Sequence, residues 1–270
     1  MQKICRQPLR KMFAALCLLA SSLGQAAESK SPLLAVGQGI ASPAAPITFF
    51  SNGFTRQNPV GVAWQKGGRV TLAHDRGDGD GNKGYGAELG LGQGDLGLAI
   101  GYYERDCDGC DETILGSVGF LMGGIGAGAT VHEDSNTVGL MFGAEGNHRL
   151  GLVGHIYDGP TDDLDIVSYG LGYGFVHNNL TLVVDASKRK HKDEIAGDDL
   201  VLVTPGMTLS MSMIQVSVSY HMYLEDDEEE DDDDRNDLWW GLGIGSGDKF
   251  HLAVYGDYVN ELSVAGSIFL

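Results

Sequence analysis

Ile214-Gln215-Val216-Ser217-Val218-Ser219-Tyr220-His221-Met222-Tyr223 alternates apolar and polar side chains without a break. Successive side chains of a β-strand point to opposite faces. One face of this stretch therefore carries Ile214, Val216, Val218, Tyr220 and Met222, and the other Gln215, Ser217, Ser219, His221 and Tyr223. The first face suits lipid and the second a lumen, which is the pattern of a membrane β-barrel.

Working outward from it, alternating segments fall near 69–76, 84–91, 96–105, 112–120, 125–132, 136–144, 148–157, 164–176, 179–187, 199–210, 213–224, 237–245, 249–258 and 261–270. About fourteen strands, an even number, return the chain to the side on which it began, as an up-and-down closed barrel requires. Connection lengths give an independent test. One alternating set is brief and turn-like, at 92–95, 145–147, 177–178 and 246–248; the other gathers the charge, at 77–83, 106–111, 158–163, 188–198 and 225–236. Short inner turns and longer outer loops are the asymmetry of outer-membrane barrels. Backbone polar groups in hydrocarbon must all be paired, so such strands persist there only when the sheet closes. A soluble sandwich also alternates, but seldom with this even count and this loop asymmetry.

The chain opens with Lys3, Arg6, Arg10 and Lys11, then an uncharged apolar run from Met12 to Leu23, then Gly24-Gln25-Ala26. This reads as a secretory leader, 1–26, because the run is too short to span a membrane as a helix. Its removal takes four positive charges from a chain of net charge −19, leaving about −23. So acidic a protein, with no strand rich in Lys and Arg, is not expected to bind nucleic acid.

Ahead of the first strand lies Gly37-Gln38-Gly39-Ile40-Ala41-Ser42, then Phe49-Phe50, then Asn58-Pro59-Val60-Gly61-Val62-Ala63. This order resembles the amino-terminal plug of the FadL-like family, the long-chain fatty-acid transporters of the outer membrane, in which a phrase like Asn-Pro-Ala-Gly-Leu-Ala precedes the first strand. The resemblance implies a fourteen-stranded barrel over 69–270 whose lumen holds residues 27–68 as a plug, with Asn58, Pro59, Val60 and Gly61 as its signature. It implies passage of hydrophobic, fatty-acid-like molecules across a bacterial outer membrane, and no cofactor. Members that carry fatty acids are longer, with larger outer loops.

Pro205-Gly206 interrupts an alternating strand, and a proline cannot donate to the ladder, so a bulge or kink in the wall, or the edge of an outer loop, is expected there. In the resembled family a wall kink opens a lateral exit for the ligand. By alternation Glu88, His132, His155, Asp185, His221 and His251 face the lumen, where polar groups hydrate or cross-bond the wall or line a path. His155 and Asp185 form an acid–base pair only if their strands bring them together.

Glu225 to Asp234 is an unbroken run of carboxylates, expected as a solvated outer loop, with Asp231, Asp232, Asp233 and Asp234 as candidates for divalent cations or for bridging to lipopolysaccharide. Asp78, Asp80 and Asn82 begin like a calcium loop, but Lys83 stands where that loop needs glycine. Cys107 and Cys110 share an outer loop and are candidates for a disulfide, which an exported compartment permits. No nucleophile elbow, phosphate loop or His-Glu-x-x-His is present, so no enzymatic activity is expected. The partners expected are outer-membrane lipid, lipopolysaccharide and a hydrophobic small molecule, for a barrel favoured as a monomer. The alternative function is a docking barrel or surface-export adaptor that presents the acidic loop.

Overall fold

Alternation at fourteen places has one closed solution, and a computed structural model shows it. The structure describes residues 58–64, 66–76, 83–106, 113–132, 135–144, 146–157, 166–191, 200–224, 237–246, 249–256 and 262–270. The strands are β1 Lys66–Arg76, β2 Lys83–Gln93, β3 Leu96–Asp106, β4 Thr113–Met122, β5 Ile125–His132, β6 Ser135–Phe142, β7 His148–Tyr157, β8 Ile166–His177, β9 Leu180–His191, β10 Leu200–Met211, β11 Ile214–Leu224, β12 Asp237–Ser246, β13 Phe250–Gly256 and β14 Leu262–Phe269. Each pairs antiparallel with the next, and β14 returns to β1 with Phe269 opposite Arg69 and Leu262 opposite Arg76. At the seam Gly68 and Leu270 exchange backbone hydrogen bonds of 3.2 and 2.8 Å.

Strand bounds match the alternation to within a few residues, with two informative differences. β1 starts at Lys66, before its alternation begins, because Gly67 takes φ +77° against the Leu270 carbonyl. β9 runs on to His191, so Lys188–His191 belong to the wall and not to the outer loop expected from their charge. Ladder hydrogen bonds need no apolar side chains once a strand leaves the hydrocarbon layer, so hydropathy underestimates strand length at the rim.

The outward rows are apolar and open: Leu72 is 63% exposed, Ile100 57% and Val138 60%. Large apolar residues exposed all round a barrel are explained by lipid, not water. At the end with short turns, His148 meets Tyr173 at 2.5 Å and lies near Phe175, with His177 stacked beyond it, an aromatic belt of the kind found where hydrocarbon meets headgroups. The turns at that end include Gly123-Gly124, both at positive φ (58° and 80°), the backbone of a tight hairpin between β4 and β5. Connections at the opposite end are mostly longer; the exception is β5 to β6, which Glu133 and Asp134 alone join.

Several sequence expectations lie outside the described residues: the leader, residues 27–57 of the expected plug, the Asp78–Asn82 loop, Cys107 and Cys110, and the acidic run with Asp231, Asp232, Asp233 and Asp234. Among the described residues no cluster of His, Cys, Asp and Glu could hold a metal ion.

Candidate functional site

The inner wall divides into two unlike parts. On β3 to β6 the inward positions toward the short turns include Gly97, Gly119, Gly126, Gly128 and Gly139, and a short 3-10 helix, Pro59–Trp64, is seated on them. Asn58 starts it: its side-chain oxygen accepts from the Val60 N–H at 3.2 Å, its carbonyl accepts from the Gly61 N–H at 3.0 Å, and its side-chain amide donates to the Leu140 carbonyl of β6 at 2.8 Å. The first two bonds are those of a capping residue, and proline just after it suits a helical first turn. The third ties the segment to the wall.

The seat exists because side chains are absent from it. A Cβ at Gly128 would lie 2.6 Å from the Pro59 carbonyl carbon and from the Val60 nitrogen, and one at Gly119 would lie 2.9 Å from the Ala63 nitrogen and the Pro59 oxygen. Gly97, Gly126 and Gly139 meet Val62, Val60 and Asn58 as closely. Val60 and Ala63 are fully buried there in a cluster with Leu121, Met141 and Ala144. Burying a valine of this kind contributes about 1.5–3 kcal/mol. Leu121 and Ala144 adjoin the short turns, so the segment sits at the short-turn end of the lumen.

Beside this seat, Arg69 of β1 donates to Glu88 of β2 at 2.5 Å, with both side chains buried. One rung away Thr71 and Ser267 share a hydrogen bond of 2.8 Å across the β1–β14 seam, and on β4 and β5 Ser117 and Thr130 share one of 2.9 Å. His155 is buried and bonded through Nδ1 to Thr137 at 2.8 Å, while His132 stands on the inward row opposite Leu115.

On β9 to β11 the inward rows keep most of their side chains, and β12 adds Trp239 before its inward row turns to Gly241, Gly243 and Gly245. Asp185, Thr204 and His221 are buried on adjacent strands, with Asp185 opposite Thr204 in the register. Below them Ser219 stands opposite Trp239, whose ring stacks on His221 with centroids 5.3 Å apart. The Ser219 hydroxyl and the Trp239 N–H are buried without a hydrogen-bond partner. Donors left so are open to an acceptor that enters the lumen.

Pro205 is in the middle of β10, not at a loop edge, and no residue is inserted, so the expected bulge is absent. The ladder to β9 runs unbroken through Pro205, opposite Val184, but the ladder to β11 passes from Val203↔Met222 directly to Gly206↔Ser219. Proline's missing N–H thus interrupts one side of the wall without shifting register.

The register does not bring His155 and Asp185 together. His155 lies across from Ser168 and then Arg189, four residues from Asp185 along β9, or about 13 Å at the strand rise. His251 pairs with Ser267 in register, and its side chain is outside the described residues. Alternation alone misses Arg69, which lay at the edge of the expected first strand, and Thr204 and Trp239, whose importance comes from neighbours on other strands. The parity that marks Thr71 as inward marks Arg69 as well.

Comparison with solved structures agrees with this geometry. The Ralstonia pickettii toluene transporter TbuX superimposes with a TM-score of 0.58 at 10% identity, over 87% of this chain and 96% of its own. The CymD monoaromatic hydrocarbon channel gives 0.55 at 10% identity, over 88% and 99%. The Acinetobacter baumannii outer membrane protein Omp33 gives 0.50 at 8%, over 77% and 100%. The chain has the outer-membrane barrel fold. Its apolar exterior and closed sheet place it in the bacterial outer membrane. No family model matches the sequence, and no curated protein is similar to it.

Proposed function

We propose that this barrel passes hydrophobic small molecules, of the fatty-acid or hydrocarbon class, from the cell exterior toward the periplasm or the membrane, and that the Asn58–Trp64 region restricts the lumen at the short-turn end. The observation that carries the reading is the glycine-lined seat: a wall that only conducted water and ions would have no reason to lose its side chains where Pro59, Val60 and Ala63 rest. The structural likeness to TbuX and CymD, a toluene transporter and a hydrocarbon channel, supports the same class of solute. An acidic surface layer excludes apolar solutes, which then need a protected path. The one-sided ladder break at Pro205 supports a way out of that path between β10 and β11 into the bilayer.

Proteoliposomes test this with radiolabelled oleate and toluene as probes. Uptake several-fold above that of empty liposomes is expected for at least one probe. Uptake no faster than in empty liposomes for both overturns the reading, as does an open conductance for small ions in planar bilayers that deletion of residues 27–64 leaves unchanged.

A further inference from the structure

Four of the chain's 18 Lys and Arg residues fall within five positions, Lys188-Arg189-Lys190-His191-Lys192, in a protein of net charge −19. The first four are in β9, at the end opposite the short turns. Along β9, Leu182 and Val184 are exposed to the outside while Val183 and Asp185 are buried inward. The same parity turns Ala186, Lys188 and Lys190 outward, toward the outer-leaflet side of the membrane. In the register Lys188 stands between Tyr169 and Val201, and Lys190 opposite Val167.

An almost wholly apolar groove of about 890 Å³ runs down the outside of the wall from Lys188, floored by Gly154 and Ala186 and walled by Leu140, Leu152, Leu171 and Tyr169. Its floor lies in rows where a small residue is flanked by large ones: Val138, Gly154, Tyr169 in one row and Leu171, Ala186, Val203 in the next. Unlike the glycines under the 3-10 helix, Gly154 is not demanded by anything behind it: a Cβ there would meet only a Val138 methyl, at an ordinary 3.6 Å. Glycine weakens a strand, so its place here is explained by the hollow it leaves.

We propose that this groove and its lysines form a site for lipopolysaccharide, with one acyl chain of lipid A lying over Gly154 and Ala186 and a lipid A phosphate held by Lys188 and Lys190. Lysines on a lipid-facing strand run their stems along apolar surface and set the ammonium at the headgroup level, where a compact charge meets a phosphate. A lysine that served only as an interfacial anchor would need no hollow beneath it. The groove is outside the barrel, and the site does not depend on what passes through the lumen.

The purified full-length barrel in detergent with EDTA, which removes bridging cations, is titrated with bisphosphorylated lipid A, with the same lipid A stripped of phosphate, and with phosphatidylglycerol, and binding is read by native mass spectrometry. Bisphosphorylated lipid A is expected to bind about tenfold or more tightly than either of the others. Lys188→Gln with Lys190→Gln, and separately Gly154→Leu with Ala186→Leu, are each expected to weaken it by about tenfold or more. The unheated, folded form on a denaturing gel confirms that each variant has closed its barrel; Ala186→Leu alone serves if the groove pair does not. Equal binding with and without phosphate, equal binding of phosphatidylglycerol, or undiminished binding by folded variants overturns the proposal.

Discussion

The inner wall of β3 to β6 under residues 58–64 and that of β9 to β11 obey the same alternation, yet the first has lost its side chains and the second has kept most of them. Gly97, Gly119, Gly126, Gly128 and Gly139 leave backbone bare, and the chain's own residues 58–64 fill the space. Across the lumen Asp185, Thr204, Ser219, His221 and Trp239 keep their bulk and polarity. Alternation therefore fixes which side chains face inward, and the size of those side chains decides whether a stretch of wall holds the protein's own chain or meets something else.

The largest effect is expected at the border of the glycine wall. Arg69→Ala leaves the Glu88 carboxylate buried without its partner, a loss of about 3–5 kcal/mol, whereas Arg69→Met with Glu88→Met removes both charges and restores much of it. Urea unfolding in detergent measures both. If the single variant is as stable as the parent, the pair is not what fastens β1 to β2 beside the seat.

Next comes the seat itself. Gly128→Leu puts side-chain atoms where the Pro59–Val60 backbone lies, an overpacking cost of about 1–3 kcal/mol that moving the segment relieves. In a chain carrying Val60→Cys, maleimide labelling above that of the same chain without it is expected to rise about tenfold when Gly128→Leu is added, because Val60 is fully buried in the parent. Gly206→Ala on the other wall is the control: its Cβ meets only the Val183 methyl at 3.1 Å and Ser219 Cβ at 3.4 Å among close side-chain atoms, and labelling at position 60 should not change. If the two substitutions expose position 60 equally, the contrast between the walls fails.

A smaller effect is expected from Trp239→Ala. It removes a stacked pair worth about 0.5–1.5 kcal/mol. Uptake of the proposed apolar solute should fall several-fold while Val60 stays protected, since the indole is on the wall away from the seat. Unchanged uptake would remove the β9 to β12 wall from the path.

Much of the fold is legible in the sequence. The Ile214–Tyr223 pattern carried strand parity, and the register confirms that Ser217, Ser219 and His221 share the inner face. The segment seated against β3 to β6 contains the phrase Asn58-Pro59-Val60-Gly61, which lies ahead of the alternating strands. What sequence could not supply is adjacency. Arg69 and Glu88 are 19 positions apart, and His221 meets Trp239 only because β11 and β12 pair in one particular register. Charge also misled at Lys188–His191, where a wall strand outlasts the apolar residues that announce it.

The smallest expected effect is at Pro205. Restoring an N–H with Pro205→Val lets the ladder to β11 continue between Val203↔Met222 and Gly206↔Ser219, where the residue opposite in the unshifted register is Tyr220. One recovered hydrogen bond contributes about 0.5–1.5 kcal/mol, so the urea midpoint should rise slightly. The β9 side is already continuous and should not respond, which hydrogen exchange at Val183, opposite Gly206, and at Tyr220 separates: slower exchange is expected at Tyr220 alone. If apolar solutes leave through this break, their transfer into the bilayer slows as the ladder closes, while exit into the vesicle interior does not. A more stable wall with unchanged transfer would leave Pro205 as a local weakness of the β9 to β12 side with no part in transport, and the way out would then lie past the glycine seat.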